Sequence, residues 1–162
     1  MEVGISGVID KWLAEAKADL KSNYKTVMGH DSETWRNSLE TTNVRDGNII
    51  KVRILGAYYT YWLEHGRNPT TTKTAGNPTL REIIEKWILK KGIGNKDISV
   101  KSLAYIIARK IHEKGIKVPN AHNKGGIITN IINKKRIELL INMLEKSYSI
   151  EIKSDLIKEF KK

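Results

Sequence analysis

The stretch WRNSLETTNVRDGNIIKVRIL, residues 35–55, decides the fold. Trp35, Asn37, Leu39 and Thr41 alternate with Arg36, Ser38, Glu40 and Thr42, which is the period of a strand. Arg45-Asp46-Gly47-Asn48 follows. Asp-Gly tolerates positive φ at both central turn positions, so a two-residue hairpin turn is expected there. The return strand runs from Ile49 to Leu55, with Ile50, Val52 and Ile54 on one face and Lys51 and Arg53 on the other. A lone hairpin is marginal in water, so this one must pack on a helix or join a larger sheet.

Helical periods surround it. Upstream, Val8, Ile9, Trp12, Leu13, Ala16 and Leu20 form one apolar stripe, with Ser6 as the expected N-cap and an end near Tyr24. Downstream, Gly56 breaks the strand and Ala57–His65 reads as a short helix that stops at Gly66. Thr79 is placed to cap a helix through Leu80, Ile83, Ile84, Trp87 and Ile88, ending at Lys90-Lys91-Gly92. Ser99 or Val100 opens another, with Leu103, Ile106, Ile107, Ala108 and Ile111 on one face and an end at Lys114-Gly115. A last long helix is expected from Ile128 to Lys146. Ser147–Lys153 alternates and predicts a strand, the alternative being continuation of the helix, and residues 154–162 form a short tail with a helical turn. Two long polar loops lie at about residues 67–78 and 116–126. The predicted fold is therefore α+β over a single domain, residues 1–162: a small antiparallel sheet, made of the hairpin and a C-terminal strand, packed against several helices.

Composition narrows the function. The chain has 162 residues, 29 Lys plus Arg, 18 Asp plus Glu, a net charge of +11 and no cysteine. A disulfide framework, a thiol nucleophile and a Cys-ligated metal are excluded. No apolar run is long enough for a membrane span, and MEVGISGVIDKW lacks the basic and apolar regions of a signal peptide. The expectation is a basic domain made inside the cell. Residues 1–65 net −1, residues 66–126 net +9 and residues 127–162 net +3. Such a basic middle third is either a Lys-rich solubilising surface or a face turned toward nucleic acid or an acidic neighbour.

No catalytic set emerges. Lys91-Gly92-Ile93-Gly94-Asn95-Lys96 follows a helix and lacks the lysine–hydroxyl pair of a phosphate-binding loop. His30, His65, His112 and His122 are scattered without carboxylates at ligand spacing, so no metal site is expected. Glu64-His65, beside the aromatics, is the one acid–histidine pair of note, and a capping or interface role explains it better than catalysis. No cofactor is expected. Tyr58, Tyr59, Tyr61 and Trp62 fall within nine residues, too dense for one core face. They suit base stacking, interface anchoring or core packing.

The residue order carries a resemblance. Ala57-Tyr58-Tyr59-Thr60-Tyr61-Trp62-Leu63-Glu64-His65-Gly66-Arg67-Asn68-Pro69 is followed by Ile83-Ile84-Glu85-Lys86-Trp87-Ile88-Leu89-Lys90-Lys91-Gly92-Ile93. Ser102-Leu103-Ala104-Tyr105-Ile106-Ile107-Ala108-Arg109-Lys110-Ile111 comes next. Over about residues 5–150 this order resembles the neck, head–tail connector and tail-completion (minor tail component) proteins of tailed bacteriophages. The resemblance implies a structural, non-enzymatic virion protein, assembled in the host cytoplasm as a homo-oligomeric ring of six or twelve copies. Its neighbours would be portal, neck or tail-tube proteins, with double-stranded DNA passing through the channel and no membrane involved. A ring needs a heterologous interface on two sides of each subunit. The hairpin edge and Tyr58, Tyr59, Tyr61, Trp62 and Arg67 are the expected interface. Lys73, Lys117 and Lys124, on the polar loops, are the expected basic residues facing DNA or a partner. The alternative is a stand-alone basic nucleic-acid-binding protein.

Overall fold

The computed structural model describes residues 4–47, 49–71, 74, 76–94 and 97–160. The fold is α+β, with six helices and a two-stranded antiparallel sheet in the order α1 (Ile5–Met28), α2 (Glu33–Asn37), β1 (Glu40–Asp46), β2 (Ile49–Leu55), α3 (Thr60–His65), α4 (Leu80–Lys91), α5 (Val100–Lys114) and α6 (Lys134–Phe160). The chain forms two compact units. The first joins residues up to Glu64 with those from Pro119 onward; the second is His65–Val118.

In the first unit α1 buries Ile9, Trp12, Leu13, Ala16, Leu20, Tyr24 and Val27, a three- and four-residue stripe continued one turn past its expected end. Gly29, at φ 69°, stops it with its N–H on Lys25 O. The helix starts at Ile5 behind Gly4, so Ser6 is not its cap. β1 and β2 pair from Glu40↔Leu55 to Asp46↔Ile49, so Asp46 is the last residue of β1 and not a central turn residue as expected. Gly47 takes φ 58°, and Asn48 lies outside the described residues. Ile50, Val52 and Ile54 pack against the Ile9–Trp12–Leu13–Ala16 cluster, while Lys51 and Arg53 are exposed.

Two strand expectations give way to helix. Trp35 and Asn37 lie in α2, because Ser32 Oγ accepts the Trp35 N–H at 3.3 Å and starts a helical turn. Over so few residues, alternation and a single helical turn bury the same side chain, and the cap decides between them. Ser147–Lys153, read as a strand, is the middle of α6. No glycine or proline interrupts the chain from Lys134 to Phe160, and a helix puts Ser147 and Glu151 one turn apart on the face toward α1. Ser147 is buried there, and Glu151 Oε1 accepts the Ile5 N–H at 3.3 Å. The described sheet therefore has two strands, with an outer edge open on each. The long helix also begins later than Ile128. Residues 127–133 are turns, with Ile132 N–H on Ile128 O at 2.8 Å, and Asn133 Oδ1 then accepts the Arg136 N–H at 3.1 Å.

The second unit is a pair of packed helices, with Ile84 and Ile88 of α4 against Ala104 and Ala108 of α5. Both expected caps are present: Ser99 Oγ accepts the Ser102 N–H at 3.2 Å, and Thr79 forms a reciprocal capping box with Glu82. The Thr79 backbone N–H, at 2.7 Å, and then its hydroxyl hold the Glu82 carboxyl below its ordinary range. A lowered carboxyl pKa means the folded state binds its proton less readily than the unfolded chain. The box therefore stabilises fully above the ordinary glutamate pKa and is lost as pH falls through the lowered one. Thr79→Ala is expected to cost about 1 kcal/mol near neutral pH and less in acid, read as the difference in urea midpoints at the two pH values.

No helix among the described residues is long and apolar enough to cross a membrane.

Candidate interaction surface

α3 sorts the aromatic cluster. Thr60 Oγ1 accepts the Trp35 indole N–H at 3.0 Å, and the Ala57 N–H donates to Ser38 Oγ at 3.0 Å. Tyr59 and Leu63, one turn apart, pack against the core of Leu20, Tyr24, Val27, Trp35, Leu39 and Ile127. That geometry sends the intervening rings outward. Tyr58 is 81% exposed, Tyr61 65% and Trp62 46%. Tyr58 meets Trp62 edge-on at 5.7 Å, and Tyr61 meets Trp62 edge-on at 6.5 Å. These three rings pack on each other in solvent, on and just ahead of a helix fixed from beneath, and Tyr and Trp are the residue types enriched at interfaces in general. Of the four aromatics expected at an interface, Tyr59 instead serves the core.

Glu64 closes the other side of α3. Its carboxylate oxygens accept the Ile128 N–H at 2.9 Å, the Thr129 N–H at 3.2 Å and the Thr129 hydroxyl at 2.6 Å. Buried Asn123 donates its amide to Leu63 O at 2.7 Å. The acid of the Glu64-His65 pair is thus a capping group that ties α3 to the turn ahead of α6.

Arg67, also expected at the interface, sits in the second unit and is half-buried. Its backbone exchanges two hydrogen bonds with Ile116, at 2.8 and 2.7 Å, and its Nη2 donates to Thr70 Oγ1 at 3.1 Å. The same hydroxyl meets His112 Nδ1 at 2.7 Å. Arg67 is spent on fastening its own loop. Lys117 and Lys124 are both exposed, one in each unit, and Lys73 lies outside the described residues.

Beyond α3, exposed apolar side chains are numerous. Val44, Ile49 and Leu55 on the hairpin and Ile137, Ile141, Tyr148 and Ile152 on α6 are all exposed. Among the described residues, more large hydrophobic side chains are exposed than are buried. A cleft of about 400 Å³ runs beside Trp12, Asp19, Arg136 and Met143. Its guanidinium is already paired, with Arg136 Nη1 2.6 Å from Asp19 Oδ2 and its carbon 5.8 Å from the Trp12 ring centre. No group of acids and histidines that could hold a metal ion occurs among the described residues. No family model, curated protein or solved structure matches the chain.

Tyr24 links this surface to the core. It stacks on Trp35 at 4.3 Å, and burial pushes its phenol above the ordinary tyrosine value. The folded state therefore favours the protonated phenol. The stability it contributes is complete below the ordinary pKa and declines as pH rises through the raised one. Tyrosinate absorbance should show one of the six tyrosines titrating late, and Tyr24→Phe should remove that step.

Proposed function

We propose that this chain is a structural virion protein of a tailed bacteriophage, forming a ring at the head–tail junction or upper tail through which DNA passes. The observation that carries the reading is the outward aromatic face Tyr58–Tyr61–Trp62, held on α3 by Tyr59, Thr60 and Leu63. The order of residues in the two segments after it supplies the phage resemblance. A ring subunit needs two different sticky surfaces, and the open edges of β1 and β2 are a second one, able to accept a neighbouring strand. The partners of such a ring are further copies of the chain and portal, neck or tail-tube proteins.

The purified full-length protein is expected to reach a native mass of six or twelve chains. Tyr58→Ala, Tyr61→Ala and Trp62→Ala combined should leave the far-UV circular dichroism intact, because these rings face solvent, and should shift the mass to the monomer. The wild-type chain should also be found in intact particles. A wild-type monomer absent from virions overturns the reading. The concentration of positive charge in residues 66–126 favours a second one, a stand-alone nucleic-acid-binding protein, which a wild-type monomer with tight, salt-sensitive DNA binding would support.

A further inference from the structure

Charge is segregated by unit. Residues 65–118 hold 12 Lys plus Arg against 4 Asp plus Glu, net +8, whereas the rest of the chain nets +3. Acids among those four have local partners of their own. Glu82 belongs to the capping box and Glu113 pairs with Arg109 at 2.9 Å. Of the three arginines, Arg109 is in that pair and Arg67 is bound to Thr70. α4 and α5 turn six lysines to solvent, Lys86, Lys90 and Lys91 on α4 and Lys101, Lys110 and Lys114 on α5, together with Arg81 and with exposed apolar side chains such as Leu89 and Ile106 between them.

Lys86 and Lys90 are one helical turn apart, as are Lys110 and Lys114, and like charges at that separation repel. The helix dipole offsets part of that cost for Lys90 and Lys114, which lie in the last turns of α4 and α5. Both pairs are exposed. Such a concentration of cation on two helices suits a dense polyanion. Protein interfaces are rich in arginine and poor in lysine, and carboxylates are best matched by the guanidinium fork. Lysines, as mobile point charges, suit a phosphate backbone met without regard to sequence. A duplex carries one negative charge per about 1.7 Å of its axis.

We propose that the outward faces of α4 and α5 are a sequence-independent contact surface for the phosphates of double-stranded DNA. The proposal rests on the ring reading for the duplex that this surface meets. It moves the contact from the loop lysines, Lys73, Lys117 and Lys124, to paired lysines on rigid helices.

The test is fluorescence anisotropy of a labelled random-sequence duplex with the full-length protein across a salt series. Each phosphate contact adds about −0.9 to the slope of log affinity against log salt. Lys86→Gln, Lys90→Gln, Lys110→Gln and Lys114→Gln combined should flatten the slope by about 3 to 4 and weaken binding at least about tenfold at low salt. The same charge change in the first unit, Lys11→Gln, Lys25→Gln, Lys135→Gln and Lys146→Gln, should alter the slope by less than about 1. The four side chains are exposed, so the α4–α5 variant should stay folded with a melting temperature close to the parent's. If it fails to fold, Lys86→Gln with Lys90→Gln alone should give about half the change in slope. Equal effects of the two quadruple variants overturn the proposal. So does displacement of the duplex by polyglutamate at matched charge, which would assign the surface to an acidic protein. Native mass on the same samples separates the two readings. A ring that ignores the α4–α5 substitutions in DNA binding defeats this surface alone, and a monomer defeats the ring alone.

Discussion

Trp35→Ala is expected to be the most destabilising change in the first unit, costing about 3–5 kcal/mol. Trp35 is fully buried, stacks on Tyr24 at 4.3 Å and donates its indole N–H to Thr60 Oγ1 at 3.0 Å. Truncation would leave a large void beneath α3 and strip the hydroxyl of its donor. Against a typical total stability of about 5–15 kcal/mol, that loss is enough to unfold a marginal domain at physiological temperature. Trp35→Phe is the milder change. It keeps a ring beside Tyr24 and removes the hydrogen bond together with part of the indole's volume, so about 1–3 kcal/mol is expected. Urea denaturation followed by far-UV circular dichroism measures both. The change should also reach the surface, because Thr60 is the first residue of α3 and α3 carries Tyr61 and Trp62. If the chain assembles as proposed, Trp35→Phe should weaken that assembly along with the fold. If assembly is unchanged while stability falls, the aromatic face does not depend on that hydrogen bond for its position.

The parts of this arrangement legible in the sequence are those in which a short-range pattern has one outcome. Ile50, Val52 and Ile54 alternate with charged residues, and only a strand with one buried face satisfies that. Thr79 with Glu82, and Ser99 ahead of an apolar stripe, are local caps and form where their spacing puts them. The density of Tyr58, Tyr59, Tyr61 and Trp62 already required some rings to face outward. Which ring turned inward depended on α3 docking through Tyr59 and Leu63, a tertiary fact. Where two periods fit the same residues, the pattern alone did not choose. Trp35 is buried equally well by a strand or by the turn that Ser32 caps. Ser147–Lys153 alternates, but its Ser147–Glu151 spacing also matches a helix face against α1. The role of Glu64 was hidden for another reason. Its partners Ile128 and Thr129 lie more than sixty residues away, and no local signal marks that bond.

Long-range closeness also underlies the largest effect expected in the second unit. Gly66 and Gly115 cross each other. Gly66 takes φ 77°, and a Cβ there would collide with the Ile116 carbonyl oxygen. Gly115 takes φ 68°, and its Cβ would collide with the Arg67 carbonyl oxygen and lie 2.9 Å from the Asn68 carbonyl carbon. The obstacles are backbone atoms, which cannot rotate aside as a side chain can. The two oxygens belong to Arg67 and Ile116, the residues that exchange hydrogen bonds at 2.8 and 2.7 Å. With ψ −163°, Gly115 lies in a region essentially confined to glycine, so Gly115→Ala has to bear a conformational penalty of about 1–3 kcal/mol and also push the two chains apart. Separation would break both reciprocal bonds and the Thr70 N–H bond to His112 O, each worth about 1 kcal/mol. The expected total is about 4–6 kcal/mol, and Gly66→Ala should behave alike. Gly92 provides the internal comparison. It has φ 62° and nothing within 4 Å of a built Cβ, so Gly92→Ala should cost only the conformational part, about 1–2 kcal/mol. Amide exchange gives a local reading, since Arg67, Thr70 and Ile116 should lose protection in Gly115→Ala and keep it in Gly92→Ala. Equal costs for the two substitutions would mean that backbone conformation, and not the close crossing, is what demands glycine at 115.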